Sequence, residues 1–507
     1  MSYSRYNAST TNKTSLRTPK DFSPGTGMCT VCTDQCPGPC EVGQSAIKGP
    51  EVLYPTERAT SQAASEKDYP VDLSHFNING RCFSSFGLSG DSLAYANADL
   101  SCEIGAGPHK MKLKAPYIFP AMAKLNWEGY YGGAALSGVM AVIGEDLPSS
   151  DPEAVIRNGK VEKLPRLTKM HESFYRYYDG HGALFVQANP DDDRLQTLEY
   201  AVKVVGFEAV ELKMAQAAKG IQGMGLVPSL EKALELKRNG YEVYPDPEDL
   251  QVQQAYEEEK GEPFYKIGRL PQWDEAWLVK KVEALRHMGV KYISLKTGPF
   301  RTLDSAKLMI MASRAGVDLV TVDTAGGGTG NSPIRMMNEW GYPTVYMQSI
   351  LNQICDKMKE KGMALPAIAI TGGFAFEDQV FKGLALGSPH TGIIGIGRAA
   401  MASAMVGKTA GLQIRTESSA ADLGELAVLR ERFGKEAAHI SGGALGVYRY
   451  VQKTNTGLQQ LMALCRKYSL QEISQMDLLP LTREAADITG IPFATDQDWE
   501  EVDQLFI

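Results

Sequence analysis

Four cysteines fall within twelve residues near the amino end, Cys29, Cys32, Cys36 and Cys40, spaced C-x2-C-x3-C-x3-C with Pro37 directly after the third. Four thiolates on one short loop can converge on a single iron–sulfur cluster, a 4Fe-4S centre being the type that four such ligands permit, and this chemistry carries electrons. A structural zinc site is the competing reading, although zinc ribbons present two C-x2-C knuckles on separate arms and only one stands here. Disulfides would need an oxidising compartment, and the first twenty residues are polar with no apolar leader. The remaining thiols, Cys82, Cys102, Cys355 and Cys465, are scattered and read as free buried cysteines, with Cys82 or Cys102 able to approach a cofactor through the fold.

A second chemistry lies in glycine pairs. Thr371-Gly372-Gly373 follows one apolar run, and Gly395-Ile396-Gly397-Arg398 follows the next and opens a helix at Ala399. Glycines let backbone amides approach a phosphate, a helix start adds positive dipole, and Arg398 offers a charge-assisted bond. An earlier run ends in Ser294-Leu295-Lys296. If that phosphate belongs to flavin mononucleotide (FMN), a lysine there can stabilise the anionic edge of the reduced ring; the bland reading is a solvated strand end. Another run is followed by Asp323-Thr324-Ala325-Gly326-Gly327-Gly328-Thr329-Gly330-Asn331-Ser332-Pro333, whose glycines allow backbone to lie against a flat ligand. The segment E-x-K-x-x-Q-x-A-K-G at 211–220 turns Glu211 and Lys213 to one face by strand alternation, with Gln216 and Lys219 on the loop beyond; two lysines suit a dianionic acid.

Eight short apolar or β-branched runs, at 116–120, 139–143, 183–187, 208–213, 291–296, 318–323, 367–371 and 391–396, position these groups. Helical periodicity falls between them at 194–205, 229–238 with 276–287, 305–315, 346–360 and 377–385. Eight strand–helix alternations over some 300 residues predict a (β/α)8 TIM barrel with chemistry on the loops after its strands, where the glycine pairs after strands seven and eight form a paired phosphate site. A doubly wound open sheet is the alternative. The expected organisation is an amino-terminal cysteine-rich iron–sulfur arm over 1–109, a barrel over 110–412 and a helical extension over 413–507. The best amphipathic stretches of that extension lie at 423–433 and 458–468, capping the barrel or joining a homo-oligomer. His171 and His181 flank the aromatic run 174–178, which reads as packing or a solvated loop, and the charges at 257–260 read as a solvated face.

The chain of 507 residues is 43% hydrophobic and 22% charged, with a formal net charge of -8. The absence of a basic cluster argues against nucleic acid, the absence of a long apolar run against a membrane span, and a cytoplasmic protein acting on a small molecule is expected.

As a set, the motifs resemble the FMN-binding synthase domain of glutamate synthase and stand-alone proteins of that family. The resemblance covers roughly residues 110–410. It rests on the 211–220 segment, Lys296, G-G-T-G-x-S-P at 327–333, and the Gly372-Gly373 and Gly397-Arg398 pairs. It implies FMN in the barrel, an iron–sulfur cluster nearby, and reduction of a 2-imino acid formed from a 2-oxo acid, 2-oxoglutarate-like, and ammonia. Carried over, Lys296 faces the flavin ring as a catalytic group, and Gln216 and Lys219 meet the substrate carboxylates. Gly327, Gly328 and Thr329 lie against the cofactor, and Gly372, Gly373, Gly395, Gly397 and Arg398 bind its phosphate. A ferredoxin-like donor or a partner subunit supplies electrons through the cluster.

Several positions depart from the family. The chain begins Met1-Ser2-Tyr3 with only about a hundred residues before strand one, so no glutaminase domain is expected and ammonia must come free or from a separate subunit. The cluster cysteines precede the barrel, whereas the family's larger enzymes place them after its last strand. The loop after strand one reads Met122-Ala123-Lys124-Leu125-Asn126, and Gly326 stands where an acidic residue is usual. A flavin and iron–sulfur electron-transfer subunit, or an oxidoreductase of a different small substrate, is the alternative. A dehydrogenase of the inosine-monophosphate type is disfavoured, because 323–333 lacks its nucleophilic cysteine. A zinc-stabilised binding module would contain zinc and be colourless.

Overall fold

The computed structural model describes residues 46, 67, 69–86, 94–122, 126–214, 224–270, 274–327, 336, 339–414 and 425–507. The four clustered cysteines, Gln216, Lys219, Gly328 and Thr329 lie outside the described residues. Eight parallel strands close into a barrel: β1 Tyr117–Met122, β2 Met140–Ile143, β3 Leu184–Ala188, β4 Ala209–Lys213, β5 Tyr292–Thr297, β6 Leu319–Asp323, β7 Ala367–Thr371 and β8 Thr391–Gly395. Closure is made by Ile394 and Gly395 of β8 opposite Tyr117 and Ile118 of β1. All eight strands start and end within two residues of the runs read from the sequence. A parallel strand is buried on both faces, so it stands out as a near-continuous apolar stretch.

Alternation sorts the side chains. Val210 and Leu212, Ile293 and Leu295, Val320 and Val322, and Ile368 and Ile370 pack outward against the helices. Ile118, Met140, Val142, Phe185, Ala209, Leu319, Ala369 and Ile393 fill the barrel's lower interior together with Met111 and Leu113. Those last two belong to a hairpin, Cys102–Ile104 with Met111–Leu113, that closes the amino-terminal end. On the inward face the next positions toward the strand ends are polar: Gln187, Glu211, Ser294 and Thr321, then Lys213, Lys296, Asp323 and Thr371. The barrel is thus apolar at its base and charged toward its mouth.

The surrounding helices are α1 Trp127–Ser137, α2 Pro165–Tyr175, α3 Glu275–His287, α4 Thr302–Ala315, α5 Thr344–Glu360, α6 Glu377–Gly387 and α7 Arg398–Thr409. The segment expected as one helix over 194–205 is instead broken: Pro190–Arg194 starts under an Asn189 cap, and Thr197–Tyr200 passes into a wider turn at Ala201–Val205. The helix expected at 229–238 forms as Leu230–Arg238, but it packs on an inserted antiparallel sheet of Met224–Val227, Phe264–Ile267 and Glu242–Tyr244. The barrel's own crossover there is α3. The 257–260 run is exposed, as read.

After α7 the described chain resumes with Glu425–Phe433 and a long α8, Gly442–Leu464. The stretch expected at 458–468 therefore corrects to a helix beginning sixteen residues earlier. Its Gly442-Gly443-Ala444-Leu445-Gly446 start looks like a breaker in sequence but permits backbone contact. A methyl group built on Gly407 of α7 would lie 2.8 Å from the Gly446 Cα, and one on Gly129 of α1 would lie 2.9 Å from the Gly443 Cα. α8 caps the flank of the barrel on α1 and α7. The strand Leu478–Pro480 then pairs antiparallel with Phe76–Ile78, joining the two ends of the described chain.

The aromatic run packs rather than covering the mouth: Phe174 is fully buried, and the His171 ring lies 4.2 Å from Tyr175 and 4.7 Å from Phe207. Burial holds the His171 pKa below its usual value. Among the scattered cysteines, Cys355 and Cys465 are buried, but Cys102 is only partly so and Cys82 is exposed, which corrects the reading of four buried thiols. Cys102 lies in the hairpin at the amino-terminal end of the barrel, away from the mouth, and burial pushes its thiol up to about 12.

Candidate active site

The polar interior is built strand by strand. Glu211 of β4 is fully buried; its Oε1 accepts the Gln187 amide Nε2 of β3 at 2.5 Å and its Oε2 accepts the Ser294 hydroxyl of β5 at 2.9 Å. Burial raises the Glu211 pKa, with Lys296 and these hydrogen bonds acting against that rise. Two buried atoms in the barrel interior, Gln187 Oε1 and Thr321 Oγ1, have no hydrogen-bond partner among the described residues.

Nearer the mouth, the Lys296 ammonium sits 3.3 Å from Asp323 Oδ2, both side chains almost wholly buried. Thr371 of β7 donates its hydroxyl to the other oxygen of Asp323 at 2.5 Å. Burial disfavours the charged lysine, but Asp323, then Glu211 and Glu145, outweigh it and hold the Lys296 pKa above the ordinary lysine value. Lys296 is therefore a fixed interior cation, not a solvated strand end. Lys213 shares the inward face with Glu211, as alternation required, and is ion-paired to Glu145 beyond β2.

The loops after β6, β7 and β8 are tied to one another. The Thr324 hydroxyl donates to the Thr371 carbonyl at 2.8 Å, and Thr344, at the start of α5, donates to the Gly372 carbonyl at 2.7 Å. Gly372 has φ +117°, and a methyl group there would collide with the Thr324 hydroxyl; Gly373 has φ +88° and faces open space. Gly395 leaves room for the Thr371 methyl group, 2.5 Å from where its own Cβ would be. Gly397 precedes α7 without a side-chain cap, so the first amides of that helix are left for another acceptor. Arg398, exposed, has no hydrogen-bond or ion-pair partner among the described residues. Gly327, at the end of the described β6 loop, approaches the Asp323 carboxylate too closely for any side chain. Lys296, Gly327, Gly372, Gly373, Gly395, Gly397 and Arg398 thus come together at or just beyond the carboxyl ends of β5 to β8.

Across the mouth lies a charge cluster that sequence reading missed. Asp146 beyond β2 pairs with Lys266 of the inserted sheet at 2.8 Å, and Asn189 beyond β3 donates to Asp146 at 3.0 Å. The buried Asp192 accepts the Asp146 amide at 3.0 Å, while Asp191 binds Arg269 at 2.5 Å. Burial and the neighbouring Asp146 push Asp192 up to about 8, whereas Lys266, acting against burial, holds Asp146 low. The consecutive acids at 191–193 were the only sequence signal; besides the adjacent Arg194, their cationic partners Arg269 and Lys281 stand over 70 residues away. Among the described residues no group of three or more His, Cys, Asp or Glu could hold a metal ion. No described helix is long and apolar enough to cross a membrane.

Residues 272–416 match the model for the conserved region in glutamate synthase. The match runs through β5 to β8, the half that carries Lys296 and the glycine loops, and agrees with the resemblance read from the motifs. No curated protein sequence matches the chain. Among solved structures, a flavocytochrome b2 variant with sulfite bound is 14% identical over 85% of this chain and 81% of that one, with a TM-score of 0.47. The recombinant flavin-binding domain of Baker's yeast flavocytochrome b2 is 13% identical over 85% and 81%, at 0.45. A mandelate oxidase variant is 14% identical over 80% and 87%, at 0.43.

Proposed function

We propose that this chain is an FMN-dependent oxidoreductase that reduces a 2-imino acid, formed from a 2-oxo acid and ammonia, with electrons passed through an iron–sulfur cluster held by Cys29, Cys32, Cys36 and Cys40. The observation that carries the proposal is the buried Lys296, its pKa held high beside Asp323, with the Gly372-Gly373 and Gly397-Arg398 seats on the same side of the barrel. The residues present fit FMN. Gly373 faces open space, α7 starts without a side-chain cap beside the exposed Arg398, and Gln187 Oε1 and Thr321 Oγ1 have no hydrogen-bond partner among the described residues.

FMN, when bound, supplies hydride chemistry and exchanges electrons singly or in pairs. Gly372, Gly373, Gly395, Gly397 and Arg398 would hold its phosphate, and Gly327, Gly328 and Thr329 would lie along its ring. Lys296 would face negative charge gathering on the reduced ring, kept protonated by Asp323. Gln216 and Lys219 would hold the carboxylates of the acid, and the surrounding wall would keep water from hydrolysing the imine.

The test is turnover. Anaerobically reduced protein is mixed with 2-oxo acids, with and without ammonium, and the reoxidation of its flavin is followed. Reoxidation by one acid only when ammonium is present, with formation of the amino acid, supports the reading. Reoxidation that is indifferent to ammonium, or absent with every acid, overturns it.

A further inference from the structure

β1 does not run cleanly to its end. Ile118 and Phe119 pair with Met140 and Ala141 of β2, but the next pair is Met122 with Ile143, so β1 carries one extra residue at Pro120–Ala121. Such a bulge interrupts the ladder, and proline cannot donate to it. The backbone carbonyls at this point need other donors. They find them on α1, the helix that follows: Tyr130 donates its hydroxyl to the Pro120 carbonyl at 2.9 Å, and Tyr131 donates to the Met122 carbonyl, which also accepts the Gly144 amide at 2.9 Å. Both tyrosines are fully buried, with ring centroids 5.5 Å apart. A buried tyrosine usually gives its hydroxyl to a fixed partner, and here Tyr130 and Tyr131 hold carbonyls in the bulged last residues of β1, with the Val142 carbonyl of β2 a further 3.5 Å acceptor for Tyr131.

The bulge also reaches β8. The Ile396 amide donates to the Ile118 carbonyl at 2.9 Å, and a methyl group on Gly397 would lie 3.2 Å from the Pro120 ring. Pro120 therefore forms the wall against which the start of α7 is seated, and Tyr130 fixes Pro120 from behind.

We infer that Tyr130 and Tyr131 are positioning residues for the cofactor seat: they hold the bulged end of β1 and, through the contact of Pro120 with Gly397, place the amides at the start of α7 for the phosphate. This inference rests on the FMN reading, and its test separates the two. Tyr130→Phe and Tyr131→Phe keep the rings and remove only the hydroxyls, and Pro120→Ala removes the wall while keeping the tyrosines. Affinity for FMN and for riboflavin, which lacks the phosphate, is measured for each, together with hydrogen exchange over 116–122 and 394–402.

Tyr130→Phe and Pro120→Ala are expected to weaken FMN about fivefold, the worth of one ordinary hydrogen bond, while riboflavin binding changes little. Tyr131→Phe is expected to raise exchange in 116–122. In Tyr130→Phe exchange should rise in both segments, with the rest of the barrel as in the wild type. Equal losses for FMN and riboflavin, or a rise in exchange spread over the whole barrel, would mean a merely structural role and overturn the inference. If the wild type binds neither flavin, the proposed function fails, and the exchange pattern alone decides whether the tyrosines fix α7.

Discussion

The two halves of the barrel solve the same problem differently. From β5 to β8 the mouth is built from the strands' own ends: they bear Lys296, Asp323 and Thr371, and close-packed glycines let the following loops lie against one another. From β1 to β4 it leans on elements outside the barrel strands. A bulged strand is tied by tyrosines of the next helix, and the acids at 145–146 and 191–193 are met by lysines and arginines from β4, α3 and the inserted segment. The family match falls on the first kind of half. Local glycine and strand-end patterns recur recognisably, whereas long-range charge pairs leave little trace in any one stretch of sequence.

The largest effect is expected at Lys296. Lys296→Met would leave Asp323 and Glu211 buried beside a missing cation, and should cost about 3–5 kcal/mol of stability by denaturant unfolding. The double variant Lys296→Met/Asp323→Asn should regain much of the stability and none of the flavin reoxidation, which separates the lysine's structural role from its chemical one. A full recovery of turnover in the double variant would place the chemistry elsewhere.

A smaller effect is expected from the glycines. Gly372→Ala meets both a disfavoured φ and the Thr324 hydroxyl, and should cost roughly 1–3 kcal/mol and loosen the link to β6. Gly373→Ala meets the strained φ alone, so its melting temperature should fall less. If both fall equally, the contact with Thr324 contributes nothing.

The opposite half should answer to pH. The folded pKa of Asp192, about 8, lies above its unfolded value, so the folded state holds the proton more tightly between them. Stability from this group is thus present at low pH and lost as pH rises towards 8. Asp192→Asn removes the titration, so its melting temperature relative to the wild type should climb between about pH 5 and pH 8 and then level off. A constant difference across that range would show that Asp192 titrates normally. The smallest change is expected for Lys266→Met, in which activity persists while proteolysis in 224–270 speeds up, because Asp146 loses its partner from the inserted sheet.

Much of this was legible beforehand. Alternation in Glu211-Leu212-Lys213 put Glu211 and Lys213 on one face, the family resemblance turned Lys296 toward the cofactor, and the eight apolar runs gave the strands. The partners were not legible: Asp323 reaches Lys296, and Thr371 reaches Asp323, only when β5, β6 and β7 lie side by side. α1 was missed because Gly129, Gly132 and Gly133 look like breakers until α8 is seen packed against them. The 194–205 segment has helical periodicity, but Pro190 and the Asn189 cap start its first turn early.

The most direct test is the absorbance spectrum of protein purified anaerobically, with the flavin released on denaturation. Flavin bands and about one FMN per chain, lost or weakened in Gly372→Ala, are expected over the broad absorbance of an iron–sulfur cluster with about four irons. A colourless protein that releases no FMN and contains zinc would contradict the FMN reading.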